Sequence, residues 1–225
     1  MGAHPMASSK VQIGSDYIGL DTLISERPGD TLGRYADSLA LPFLFKLLAL
    51  GEPVSAQVHP TRERAEAGFA AEELRGIPID APNRSYRDQR HKSEMLLALE
   101  PMVVLCGFRP AGEVEEFLVA SGFGQLRGRL QDFLRSVLLF DIDKAVSYCQ
   151  QMIESANRKV AFGSVLLKLA EYFPGDPAII FAGLLNLIKL IPGQAMFIPA
   201  GQVHAYLSGT GLELMTNCDN VLRAG

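Results

Sequence analysis

The sequence predicts a mainly β protein, an antiparallel barrel or sandwich interrupted by a helical insertion. Three observations predict it. Up to about residue 108, short apolar runs alternate with Gly, Pro and Asp, as strands joined by turns do. From Gly112 to about Phe173 the apolar residues recur at helical spacing instead. From Leu184 onward short strand-like runs return, each followed by a tight turn. A β, then helical, then β order fits one sheet framework split by helices. The divisions are 1–110 for the first part of the barrel, 111–183 for the insertion and 184–225 for the return strands.

In the first part, residues 43–50, 54–58 and 95–105 read as strands. Residues 61–76 are the exception, charged and alanine-rich after Pro60, and read as a helix. In the insertion, Val114, Phe117 and Leu118 share a helix face, as do Leu130, Phe133, Leu134 and Leu138. Asp143 is placed to cap a helix through Lys159, with Val146, Cys149, Ile153 and Ala156 along one side. The run Phe173-Pro174-Gly175-Asp176-Pro177 breaks that pattern. In the last part, strands are expected at 184–190, 195–198, 203–207 and 212–215. Their turns are Ile191-Pro192-Gly193, Pro199-Ala200-Gly201 and Ser208-Gly209-Thr210-Gly211.

Composition narrows the function classes. Hydrophobic residues make up 48% and charged residues 20% of 225, which supports a packed core. The net charge of −4, with both signs interleaved, argues against nucleic acid and against an anionic membrane surface as partners. The apolar run at 39–50 contains Pro42 and Lys46 and is too short to span a bilayer. Cys106, Cys149 and Cys218 form no C-x-x-C pair, so reduced thiols in the cytoplasm are expected. The protein is expected to be a soluble monomer.

Chemistry concentrates in a few segments. In Ser55-Ala56-Gln57-Val58-His59-Pro60, strand alternation puts Ser55, Gln57 and His59 on one side. His204 follows the Pro199-Ala200-Gly201 turn and opens a strand. In His91-Lys92-Ser93-Glu94, Glu94 shares the parity of Leu96 and Ala98 and faces the barrel interior; a carboxylate there needs a partner, of which a metal is one. Lys46, inside an apolar run, either snorkels from a strand edge or holds an anionic substrate.

Taken in order, these segments resemble the type I mannose-6-phosphate isomerase (phosphomannose isomerase) family of the cupin superfamily. The resemblance is carried by Leu41-Pro42-Phe43-Leu44-Phe45-Lys46, Gln57-Val58-His59-Pro60, Gly76-Ile77-Pro78-Ile79-Asp80, His91-Lys92-Ser93-Glu94, Pro199-Ala200-Gly201 with His204-Ala205-Tyr206-Leu207, and Asp219-Asn220-Val221-Leu222-Arg223-Ala224-Gly225. It implies a cupin-type β-barrel or jelly roll split by a helical domain. It implies one zinc ion held by Gln57, His59, Glu94 and His204. It implies Lys46 and Ser55 as substrate-binding residues, and Arg223, Lys92 and His91 as the candidates for catalysis. The implied reaction interconverts mannose 6-phosphate and fructose 6-phosphate through an enediolate, with the phosphosugar as partner. The chain departs from the family pattern in three places. Ser93 replaces the usual Pro, an upstream aromatic motif is not seen, and a C-terminal cupin domain is expected to be missing after Arg223-Ala224-Gly225. The competing readings are a non-catalytic cupin that binds metal and sugar, and an iron-dependent cupin oxygenase, whose larger histidine demand four histidines meet poorly.

Overall fold

A computed structural model describes residues 1–4, 7–38, 40–123, 131, 147, 149–154, 163–176 and 179–223. Strands β1 (Lys10–Ile13) and β2 (Asp16–Gly19) form a small hairpin. Helices α1 (Leu20–Glu26) and α2 (Pro28–Leu32) follow, with Pro28 at the first helical position, where its missing N–H costs nothing. A 3-10 turn at Gly33–Ser38 completes this segment. The sequence reading had only strands here. Ile24 is the sole buried residue of these helices, so no apolar stripe announces them.

The main sheet has eight antiparallel strands. They are β3 (Phe43–Leu50), β4 (Gln57–Val58), β5 (Glu94–Ala98), β6 (Met102–Phe108), β7 (Leu185–Leu190), β8 (Ala195–Ile198), β9 (His204–Thr216) and β10 (Leu222–Arg223). The sheet curls, as expected of the barrel class. Helix α3 (Arg62–Leu74) lies between β4 and β5, and the Thr61 hydroxyl accepts from the Arg64 N–H to cap it. Between β6 and β7 lie α4 (Ala111–Ala120), α5 (Gly163–Tyr172) and α6 (Ile179–Leu184). The face anticipated for α4 is the buried one: Val114, Phe117 and Leu118. The helical readings on Leu130, Phe133, Leu134 and Leu138, and on Asp143, Val146, Ala156 and Lys159, lie outside the described residues.

Four boundaries differ from the sequence reading. The strand expected at 54–58 keeps ladder pairing only at β4, and the run 95–105 divides into β5 and β6 around Glu100-Pro101. The strand expected at 184–190 begins at Leu185, because residues 179–184 form a helix, buried on every side, at the end of the expected helical insertion. The expected turn at Ser208–Gly211 is instead the middle of β9. A Cβ on Gly209 (φ 112°) would stand 2.4 Å from the Pro101 carbonyl oxygen, and one on Gly211 would stand 2.8 Å from that of Leu97. These glycines let neighbouring backbones close in on a continuous strand rather than reverse its direction.

β9 organises the sheet. Its first half pairs with β4 and β6, its second with β3 and β5. Alternate residues of β6 and β9 feed two cores. Leu105, Ala205 and Leu207 pack with α4, α5 and α6, whereas Val104 and Tyr206 pack inside the curl with Leu96, Met102 and Ile198. Burial on both faces explains why β6, and β9 from Ala205 to Leu207, read as unbroken apolar runs.

Candidate metal centre

Three strands converge on one buried point. Gln57 on β4 stands directly opposite His204 on β9, and Cys106 on β6 flanks His204 on the other side. Glu94 opens β5 opposite Met215, with its side chain on the buried side of that strand as parity anticipates; Glu94, Leu96 and Ala98 are all buried. The loop after β4 brings in His59. Its carbonyl accepts from the Gly201 N–H at 2.6 Å, so the loop bearing His59 is tied to the turn that precedes His204.

His59 Nε2 lies 3.0 Å from Glu94 Oε1, and His204 Nε2 lies 3.1 Å from Glu94 Oε2. Each of the three residues is at most 2% exposed. The opposite ring nitrogens fix the tautomers. His59 Nδ1 is 3.0 Å from the Asn220 carbonyl oxygen, and His204 Nδ1 is 3.0 Å from that of Gln202. A carbonyl only accepts, so both Nδ1 atoms donate, and in the neutral rings both Nε2 atoms present lone pairs. Those lone pairs face carboxylate oxygens and have no hydrogen-bond partner. Acceptor against acceptor in a buried site is repulsive unless a positive charge sits between. The ligand atoms lie within 4.8 Å of one another, so the donor set fits one divalent cation.

Burial alone would raise the Glu94 carboxyl, but where no cation separates them, protons on His204 Nε2 and His59 Nε2 hydrogen-bonded to it, together with the Lys92 ammonium, outweigh burial and hold it well below the usual carboxylate range. Lys92 Nζ is 3.3 Å from Glu94 Oε1. The Tyr206 hydroxyl reaches Glu94 Oε2 at 3.3 Å and Glu213 Oε1 at 3.0 Å. Burial and the two carboxylates push this phenol far above its ordinary value, so it stays a donor. A regular strand would send residues seven apart to opposite faces. The register shift where β9 passes from Tyr206↔Val104 to Ser208↔Val103 supplies the extra residue that brings Tyr206 and Glu213 to the same side.

Beside this centre opens a cleft of about 520 Å³ lined by Lys46, Gln57, Lys92 and Arg223 among others. Lys46 Nζ meets Glu213 Oε2 at 3.3 Å, and Arg223 donates to Ser55 Oγ at 2.6 Å. Ser55 thus joins the cleft through Arg223, and His91 is not among its lining residues. Tyr206, Glu213 and Asn220 carry no role in the sequence reading. Glu213 carried a usable signal, a lone charge between Leu212 and Leu214, matching the lone Lys46 of β3.

Comparison with known proteins places this arrangement. Residues 1–111 match the model for the phosphomannose isomerase type I catalytic domain. Over its whole length the chain is 36% identical to mannose-6-phosphate isomerase of Escherichia coli and 32% identical to that of Homo sapiens. In sequence the chain matches the type I phosphomannose isomerase family along its whole length. It spans 61% of the Escherichia coli relative and 58% of the human one. The apo structure of the Salmonella typhimurium mannose 6-phosphate isomerase superposes with a TM-score of 0.88 at 34% identity, covering all of this chain and 60% of that one. A further Salmonella typhimurium mannose 6-phosphate isomerase structure, described as bound to the substrate fructose 6-phosphate and to zinc, gives 0.86 at 33% identity with the same coverage. The curled antiparallel sheet is thus the cupin-type framework of the phosphomannose isomerases. Among the described residues no helix is long and apolar enough to cross a membrane.

Proposed function

We propose that this chain interconverts mannose 6-phosphate and fructose 6-phosphate, with one zinc ion held by Gln57, His59, Glu94 and His204. The observation that carries the reading is the pair of tautomer-fixed imidazoles turned on one buried carboxylate, beside a cleft walled by cations. Gln57, opposite His204 in the ladder, is the natural fourth donor. Zinc with neutral nitrogen and amide ligands and one carboxylate keeps net positive charge and supplies a Lewis acid to substrate oxygens.

The reaction moves a proton between C2 of the aldose and C1 of the ketose, with charge developing on the neighbouring oxygen. The Lys92 ammonium, fixed beside Glu94, offers N–H donors to that oxygen. Arg223, steadied by Ser55, presents a planar fork suited to phosphate or to the oxyanion, and Lys46 adds a third cation to the wall. Of the three residues considered for proton transfer, Lys92 and Arg223 line the cleft and His91 does not, which favours the first two. On this reading, residues 1–110 and 184–225 form one barrel around the site, residues 111–183 are inserted, and the protein works as a cytoplasmic monomer with reduced thiols.

A coupled assay for fructose 6-phosphate, with zinc measured on the same sample, tests the reading. One zinc per chain with turnover is expected. One zinc without turnover selects a non-catalytic sugar-binding cupin, and failure to retain zinc after reconstitution overturns the ligand assignment.

A further inference from the structure

Outside the cleft, a dense polar assembly among the described residues surrounds Asn220, which is fully buried. Its carboxamide oxygen accepts from the backbone N–H groups of Arg87 (2.7 Å) and Asp88 (3.1 Å). Its carboxamide nitrogen donates to the Asp88 carbonyl (2.8 Å), to Asp88 Oδ1 (3.1 Å) and to the Arg90 carbonyl (3.0 Å). Asp88 returns the connection by accepting from the Asp219 N–H at 3.2 Å. One side chain therefore knots residues 87–90, which run directly into Lys92 and Glu94, to the segment joining β9 and β10.

The main chain of the same residue does something different. The Asn220 carbonyl is the acceptor for His59 Nδ1–H. The two imidazoles of the centre are thus oriented in unlike ways. His204 is held by Gln202, two residues away in its own loop, whereas His59 is held by a residue 161 positions distant. The aim of His59 depends on where the β9–β10 segment sits, and the carboxamide fixes that position against the approach to Glu94. Three of its contacts use N–H donors pointed at oxygen acceptors, a pattern that a carboxylate of the same shape cannot reproduce.

We propose that Asn220 is a positioning residue that holds His59 in its Nδ1–H tautomer and registers it against Glu94; the inference rests on the reading of His59 as a zinc ligand. Partners of metal-bound imidazoles characteristically change metal affinity by about 10- to 100-fold when altered.

The test measures zinc affinity by chelator competition on the full chain for wild type, Asn220→Asp, Asn220→Ser and Leu166→Ala. The last variant, in the helical core, controls for a general loss of stability. Zinc binding weakened about 10- to 100-fold in the Asn220 variants, and unchanged within about twofold in Leu166→Ala, is the expected result. Wild-type affinity in a folded Asn220 variant, or an equal loss in Leu166→Ala, overturns the proposal. A long-range ¹H–¹⁵N spectrum of metal-free wild type at alkaline pH reads the His59 tautomer without any variant. A proton on Nδ1 is expected, and a proton on Nε2 overturns the proposal even if neither Asn220 variant folds. Wild type that binds no zinc at all would instead defeat the ligand reading on which this one rests.

Discussion

Lys46 and Glu213 face each other across the β3–β9 ladder and meet at 3.3 Å, the carboxylate buried and the ammonium nearly half in water. The asymmetry matters, because each partner loses something different when the other is removed. Lys46→Met leaves a buried carboxylate with Tyr206 as its remaining hydrogen-bond donor among those described, at a cost of about 1–2 kcal/mol. Chemical denaturation should show that loss, and the double variant with Glu213→Gln should recover part of it. If Lys46 also meets the phosphosugar, KM for mannose 6-phosphate rises about tenfold or more in Lys46→Met, the size expected for one lost bond to a charged group.

His204→Ala and Glu94→Gln each remove a donor from the buried cluster. Purified under identical conditions, both should carry less than about a tenth of the wild-type zinc and show no measurable isomerase activity. Chelator treatment of the wild type should lower its melting temperature, and added zinc should restore it, because metal bound only to the folded state stabilises that state. Full zinc occupancy in either variant would remove that residue from the ligand set.

Gly209→Ala should be far more damaging than Gly14→Ala. Both glycines have positive φ, which costs an alanine about 1–2 kcal/mol. At Gly14 the new methyl meets open space, whereas at Gly209 it would lie within 3 Å of Pro101 and Met102 atoms. Melting temperatures of the two variants should separate by several degrees, with Gly209→Ala also shifting the backbone amide signals of β6 and β9.

The buried thiols give a pH signature. Burial, with Asp176 adding to it, pushes Cys149 up to about 11. Burial, with Asp88 adding to it against the lowering effect of the Asn220 N–H, pushes Cys218 up to about 12. A folded-state value above the unfolded one means stability present below the unfolded pKa and lost as pH rises through and beyond it. Both thiols should therefore resist alkylation at pH 8 in the native protein, and stability should fall between about pH 9 and pH 12. Rapid labelling of Cys149 under native conditions would contradict its burial.

Alternation made Glu94 legible, since its buried parity with Leu96 and Ala98 is a property of the strand alone. The spacing of Val114, Phe117 and Leu118 made α4 legible for the same reason. Ser208-Gly209-Thr210-Gly211 misled because glycines that reverse a chain and glycines that admit a neighbouring backbone look identical in one dimension. Tyr206 and Asn220 were invisible for another reason. Asn220 acts on partners more than a hundred positions away, and Tyr206 joins one such partner, Glu94, to Glu213 only through a register shift, so no local pattern encodes either role.

The register shift within β9 sets a rule of counting. His204 and Tyr206 precede it and Glu213 follows it, so the number of residues between them decides which groups meet, quite apart from which residues they are. Deleting one residue there would restore strict alternation and turn Glu213 and Met215 out of the barrel while bringing Leu214 inward. A segment with the composition of a surface turn, where insertions and deletions are ordinarily harmless, is here as intolerant of a change in length as a reading frame.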